Sequence, residues 1–203
     1  MTYHFVNILT WRYFLENHLV DRKIYIDGFL LKLAIYLVSK KWIQKRSGVN
    51  FYSREKFSSF LYLTAYKIEN ENCIVLPFWN TLEDVIVSKE LRAAVVDSTD
   101  IIIGISSPKQ DRLADLLQKS NLVKGDIYCL GAAIYTEPLM RSEYLIVTWL
   151  TMFFNAPKRT VQKFRLSIPA FFNAIFLQRK ELLQFINLIT KMPLASSYQK
   201  VIK

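Results

Sequence analysis

Glycine, proline, cysteine and histidine are all scarce in this chain, and each shortage removes a class of answer. With only five glycines in 203 residues, there is no G-x-G-x-x-G turn and no Walker G-x-x-x-x-G-K-[ST] loop, so dinucleotide dehydrogenases and P-loop enzymes lose their usual support. The two cysteines, Cys73 and Cys129, have neither the CxxC spacing nor the partners of a zinc site, and they make no disulfide framework. No secretory leader precedes them, and a reduced, cytoplasmic compartment is the simpler expectation. The two histidines, His4 and His18, lie near the N-terminus without a metal-like partner, so a surface or local structural role is expected. No Asp-x-Asp pair is present either, which favours neutralising a diphosphate with Lys and Arg over a bridging metal. A long apolar run is also missing. The most apolar stretch, Tyr144 to Phe154, falls short of the roughly 20 residues that cross a bilayer.

What is present is apolar bulk and positive charge. Hydrophobic residues make up 52% of the chain, enough to bury one core without staples. The formal net charge is +10, and the stretch from Thr151 to Lys203 holds nine basic residues against Glu181 alone. A basic segment rich in aromatic residues suits nucleic acid, anionic lipid or a phosphorylated ligand. RNP and KH signatures are missing and the tail aromatics sit in apolar runs, so no nucleic-acid partner is expected.

Short, near-continuously apolar runs at Lys23–Ile26, Phe60–Leu63, Ile101–Ile105 and Asp126–Leu130 predict strands buried on both faces. Helical periodicity over Phe29–Trp42 and Asp111–Lys119 alternates with them. That alternation predicts an α/β fold: a Rossmann-like, mostly parallel sheet with crossover helices. Strand signals stop near Tyr144, and the remainder reads as helix with breaks at Pro157 and Pro169. The expected organisation is therefore an α/β body over 1–143 and a basic, apolar helical appendage over 144–203. The appendage's apolar surface points to membrane-surface contact, and weakly to self-association into a homo-oligomer.

Open α/β sheets bind ligands beyond the carboxyl ends of their strands, and two strand-to-helix junctions carry suitable residues. Asp27-Gly28 follows the strand at Ile26, placing a carboxylate either as a base or as a cap for the following helix. Ser106 to Asp111 follows the strand at Ile101, with Ser107 as expected N-cap, Pro108 at the first helical position, Gln110 three residues on and Lys109 adding a cation. Gly131-Ala132-Ala133 follows a third strand, where small residues allow close approach.

Taken in order, these pieces resemble the WecG/TagA/CpsF family, glycosyltransferase family 26. Ile26-Asp27-Gly28 is similar to its Pro-Asp-Gly, and Lys45 to Asn50 to its Arg-x-x-Gly-x-Asp. Gly104-Ile105-Ser106-Ser107-Pro108-Lys109-Gln110-Asp111 is similar to its Gly-x-x-x-Pro-Lys-Gln-Glu, and Gly131-Ala132-Ala133 to its Gly-Ala-Ala turn. Thr148-Trp149-Leu150, Ala156-Pro157-Lys158-Arg159, Lys163 and Ile168-Pro169-Ala170-Phe171 follow the spacing of its C-terminal motifs. The resemblance implies an inverting, metal-independent glycosyltransferase with no bound cofactor. Its donor is a UDP-sugar and its acceptor a lipid-diphosphate-linked sugar of surface polysaccharide or O-antigen synthesis. It would be peripheral on the inner face of the plasma membrane.

By the same resemblance Asp27 is the general base, Asn7, Ser107, Lys109, Gln110 and Gly131 contact donor or acceptor, and Lys158, Arg159 and Lys163 close over the diphosphate. Departures are visible. Phe5-Val6-Asn7 keeps only the Asn of a Thr-x-Asn, Leu63-Thr64-Ala65 stands where a nucleotide-contacting Gly-Gly is usual, and Tyr135 replaces an Asp. These departures imply an alternative, a non-catalytic relative that partners another transferase at the membrane.

Overall fold

The computed structural model describes residues 1–17, 21–44, 46–54, 60–68, 72–76, 88–135, 154 and 157–191. Six strands, β1 (Thr2–Val6), β2 (Arg22–Ile26), β3 (Leu61–Thr64), β4 (Cys73–Val75), β5 (Ile101–Gly104) and β6 (Ile127–Cys129), form one sheet in the order β2-β1-β6-β5-β3-β4. Every pairing is parallel. All six carboxyl ends therefore lie along one edge, and the fold is α/β and Rossmann-like.

The four expected strands are present, and two more join them. β1 is not legible because Thr2 and His4 interrupt its apolar run, yet both are buried between the flanking strands β2 and β6. Helix α5 (Lys109–Lys119) meets both: Thr2 donates to Gln118 at 3.0 Å, and His4 Nδ1 lies 2.8 Å from Asp111, while the buried His4 Nε2 has no hydrogen-bond partner. β4 is only three residues long, too short to show a period.

Strand alternation divides the core. On one face Val6 and Ile26 pack with Trp11 and Phe14 of α1 (Trp11–Glu16) and with Leu31 and Ile35 of α2 (Phe29–Ser39). Farther along the sheet, Leu63, Ile101, Ile103 and Cys129 lie under Leu113 and Leu117 of α5 and Leu91 and Val95 of α4 (Lys89–Asp97). The opposite face is aromatic. Tyr3, Phe5, Tyr25, Tyr62 and Tyr128 meet Phe51 of α3 (Gly48–Arg54), with Tyr3 and Tyr128 stacked at 4.6 Å between ring centroids.

The C-terminal region is helical, as its composition predicts. α6 (Pro157–Phe172) continues through a π-helical turn at Asn173–Leu177 and is followed by α7 (Arg179–Lys191). Pro157 opens α6, where a missing amide proton costs nothing. Pro169 does not end it: the helix runs three residues past it and the irregularity falls at the π turn instead. α7 packs Leu182, Phe185, Ile186 and Ile189 into the cluster built by α1 and α2. His18 and the apolar run 144–153 lie outside the described residues.

The aromatic face sets a pH limit. Burial, with Asp126 nearby, pushes the Tyr3 phenol up to about 12. Burial raises Tyr13 and Tyr128 as well, the one beside Asp115 and the other beside Asp126. A raised pKa means that the folded state holds protons that the unfolded chain releases, so this contribution is intact below the ordinary tyrosine value of about 10. It is lost as pH climbs through 12. Urea midpoints are expected to fall over that interval, and to fall less steeply in Tyr128→Phe. An equal fall in both chains counts against the phenols as the cause.

Candidate functional site

The site is assembled from loops at the carboxyl edge. Neighbouring strands β2 and β1 end beside each other, and the Asp27 amide donates to Val6 O at 2.7 Å. Gly28 takes a left-handed φ of 84°, and a Cβ there would stand 3.7 Å from Asn7 Cβ. Asp27 and Asn7 are thus brought together. The Asp27 carboxylate accepts the Gly28 amide at 2.8 Å, and Gly28, not Asp27, is the N-cap of α2. One carboxylate oxygen is therefore tied to the chain at the start of α2. Asn7 Oδ1 accepts the Leu9 amide at 2.8 Å, and its carbonyl accepts the Thr10 and Trp11 amides. That turn starts α1.

A second group forms where β5 and β6 end. Gly131, at φ 57°, holds the 3₁₀ turn Gly131–Tyr135 so close to α5 that a Cβ would sit 3.2 Å from Gln110 Oε1. Gln110 is 4% exposed, and its Oε1 has no hydrogen-bond partner. A buried acceptor left unpaired is costly. A ligand N–H or O–H reaching the Gly131 turn would satisfy it.

Ser107 departs from its expected role. The N-cap of α5 is Pro108, after a cis Ser107–Pro108 peptide. No side chain caps an amide of α5, and the Ser107 hydroxyl instead donates forward to the Asp111 carboxylate. Asp111, 1% exposed, thus joins Ser107, just before its own helix, to His4 in β1. The sequence reading passed over this pair, since His4 showed no neighbour in sequence and only the fold brings Asp111 to it. Lys109, two residues before Asp111, is exposed.

His4, Asp111 and Cys129 are the described residues whose donor atoms converge, within 4.8 Å, as a metal would need. The His4–Asp111 contact is already a hydrogen bond, and burial pushes the Cys129 thiol up, away from the thiolate that binds metal.

Lys158 and Lys163 lie on the exposed side of α6, whose packing is chiefly against α2 and the π turn. Arg159 is on the same helix. A groove of about 670 Å³ runs along α6, lined by Pro157, Lys158, Val161, Gln162, Arg165 and Leu166. At the end of β3, the Tyr135 hydroxyl accepts the backbone amides of Ala65 at 3.2 Å and Tyr66 at 3.4 Å.

The sequence matches no family model, and neither the curated proteins nor the solved structures give a match.

Proposed function

We propose that the protein is an inverting glycosyltransferase that moves a hexose or N-acetylhexosamine from a UDP-sugar to a lipid-diphosphate-linked acceptor at a membrane surface. The observation that carries this reading is Asp27, a carboxylate held beside Asn7 at the carboxyl edge of a parallel sheet. In this reading Asp27 takes the proton of the acceptor hydroxyl as that oxygen attacks the anomeric carbon. The bond to UDP breaks with its electron pair leaving on the diphosphate, where Lys109, Lys158, Arg159 and Lys163 neutralise it. Attack from the face opposite the departing UDP gives inversion. Among the described residues no helix is long and apolar enough to cross a membrane, so the acceptor is met at the surface.

A second reading is a non-catalytic partner of another transferase. It is favoured by the Tyr135 hydroxyl, which occupies two backbone amides after β3 that a nucleotide-binding loop would present to its ligand. UDP release from a panel of UDP-sugars, with a short-chain lipid-diphosphate sugar as acceptor, separates the two. Acceptor-dependent release is the expected result. A folded protein that releases no UDP with any donor overturns the transferase reading in favour of the second.

A further inference from the structure

Charge along this chain is segregated more sharply than the basic tail alone suggests. Residues 28–54 carry six Lys or Arg and no acid, and residues 151–180 carry another six and no acid. Residues 55–150 hold thirteen acids against nine bases. The two cationic segments are a hundred residues apart in sequence, and the fold packs part of the first against the second: α2 touches both α6 and the π turn.

Both segments also expose apolar side chains. From α2 and the loop after it come Phe29, Tyr36, Leu37 and Trp42, and from the C-terminal helices Val161, Leu166, Phe172, Phe176 and Leu177 are among those at 40% exposure or more. A concentration of this kind on one region marks an interaction surface. Trp42 is 56% exposed. Its ring stands edge-on to Tyr36 at 5.4 Å, with Lys32 Nζ 3.9 Å from its centroid, while Lys40 Nζ lies 5.8 Å from the Tyr36 ring. An indole and a phenol among lysines, next to aliphatic side chains, is the composition that sits at the boundary of headgroups and acyl chains.

We propose that α2 and the loop Lys40–Trp42 form, with α6 and the π turn, one surface that docks on an anionic bilayer, with Trp42 as its aromatic anchor. This rests on the membrane half of the proposed function and not on sugar transfer. The aliphatic part selects lipid over nucleic acid. Leu37, Val161, Leu166 and Leu177 gain nothing against phosphates in water, and RNA is gripped by open aromatic faces and base edges, whereas acyl chains take up aliphatic area directly. The cations supply the attraction to anionic headgroups, worth about fivefold in partitioning for each Lys near the surface.

The full chain is sedimented with vesicles of phosphatidylglycerol and phosphatidylcholine, or of phosphatidylcholine alone, at physiological salt. Binding to the anionic vesicles only is expected. Brominated acyl chains are expected to quench a fluorescence component that is missing in Trp42→Phe, and the double variant Lys40→Ala/Lys41→Ala is expected to bind at least about tenfold more weakly. Circular dichroism confirms that each variant is folded. Vesicle binding with the same quenching in Trp42→Phe overturns the inference and leaves docking to the C-terminal helices alone. Absence of binding to any vesicle removes the membrane half of the proposed function as well. Tighter binding to a single-stranded RNA than to anionic vesicles reassigns the surface to nucleic acid and overturns the inference. UDP release in detergent, measured separately, reports on the transferase chemistry whichever way the vesicles behave.

Discussion

Asp27→Asn is expected to lower acceptor-dependent UDP release by about 10²- to 10⁴-fold, the range that a positioned general base contributes. The substitution is chosen for what it preserves. Asn keeps an oxygen that accepts the Gly28 amide, so the 2.8 Å contact at the start of α2 can persist. Size and packing beside Asn7 hardly change. What disappears is the capacity to take a proton. The thermal midpoint and UDP binding are therefore expected to stay at wild-type levels while turnover collapses. Turnover within twofold of wild type would remove Asp27 from the chemistry. Loss of UDP binding together with turnover would give Asp27 a place in holding the donor instead.

A chain ending at Gln178, which lacks α7, is expected not to fold. Leu182, Phe185, Ile186 and Ile189 are all at most 9% exposed, and they fill the cluster between α1 and α2. Each such side chain is worth about 1.5–3 kcal/mol when buried. Together they give roughly 6–12 kcal/mol, comparable with the roughly 5–15 kcal/mol that keeps a domain folded. Phe185, whose ring centroid is 5.9 Å from that of Trp11, gives a finer reading: Phe185→Ala is expected to cost about 3–5 kcal/mol in urea unfolding. Leu177→Ala, at a side chain 79% exposed, is expected to change stability by less than about 0.5 kcal/mol. A chain ending at 178 that melts cooperatively near the wild-type midpoint would show that α7 is an accessory to the core. The basic residues 144–203 read as an appendage because their charge and loss of strand pattern set them apart. Sequence carries no mark of what the apolar stripe of α7 meets, since its partners Trp11 and Phe14 lie some 170 residues earlier.

Strands were legible where burial on both faces left an unbroken apolar signature, as in Ile101 to Ile103. They were hidden where a polar side chain was satisfied by something distant. His4 is the clearest case: buried in β1, it breaks the period locally, and its carboxylate partner Asp111 is 107 residues away. The junction at Ser107 shows the same limit on a smaller scale. Its residue types match a capping box, but that pattern is blind to a hydroxyl drawn to the Asp111 carboxylate. Positions at the carboxyl edge were easier to place, because parallel strands fix which loops share an edge. Asp27 with Asn7 and Gln110 with Gly131 are the two pairs that the sheet brings together. Lys158 and Lys163 sit on α6, and their approach to either pair depends on how that helix meets a bound ligand.

The place of β1 governs when the molecule can be finished during synthesis. The strand emerges early, yet it lies between β2 and β6, so its second neighbour appears only after Ile127–Cys129 has been made. The apolar side of α1 waits longer, until Phe185. At about 5–20 residues per second, Trp11 and Phe14 spend roughly 10–35 s on the ribosome without their last partners. During that interval the nascent chain presents an uncovered aromatic surface.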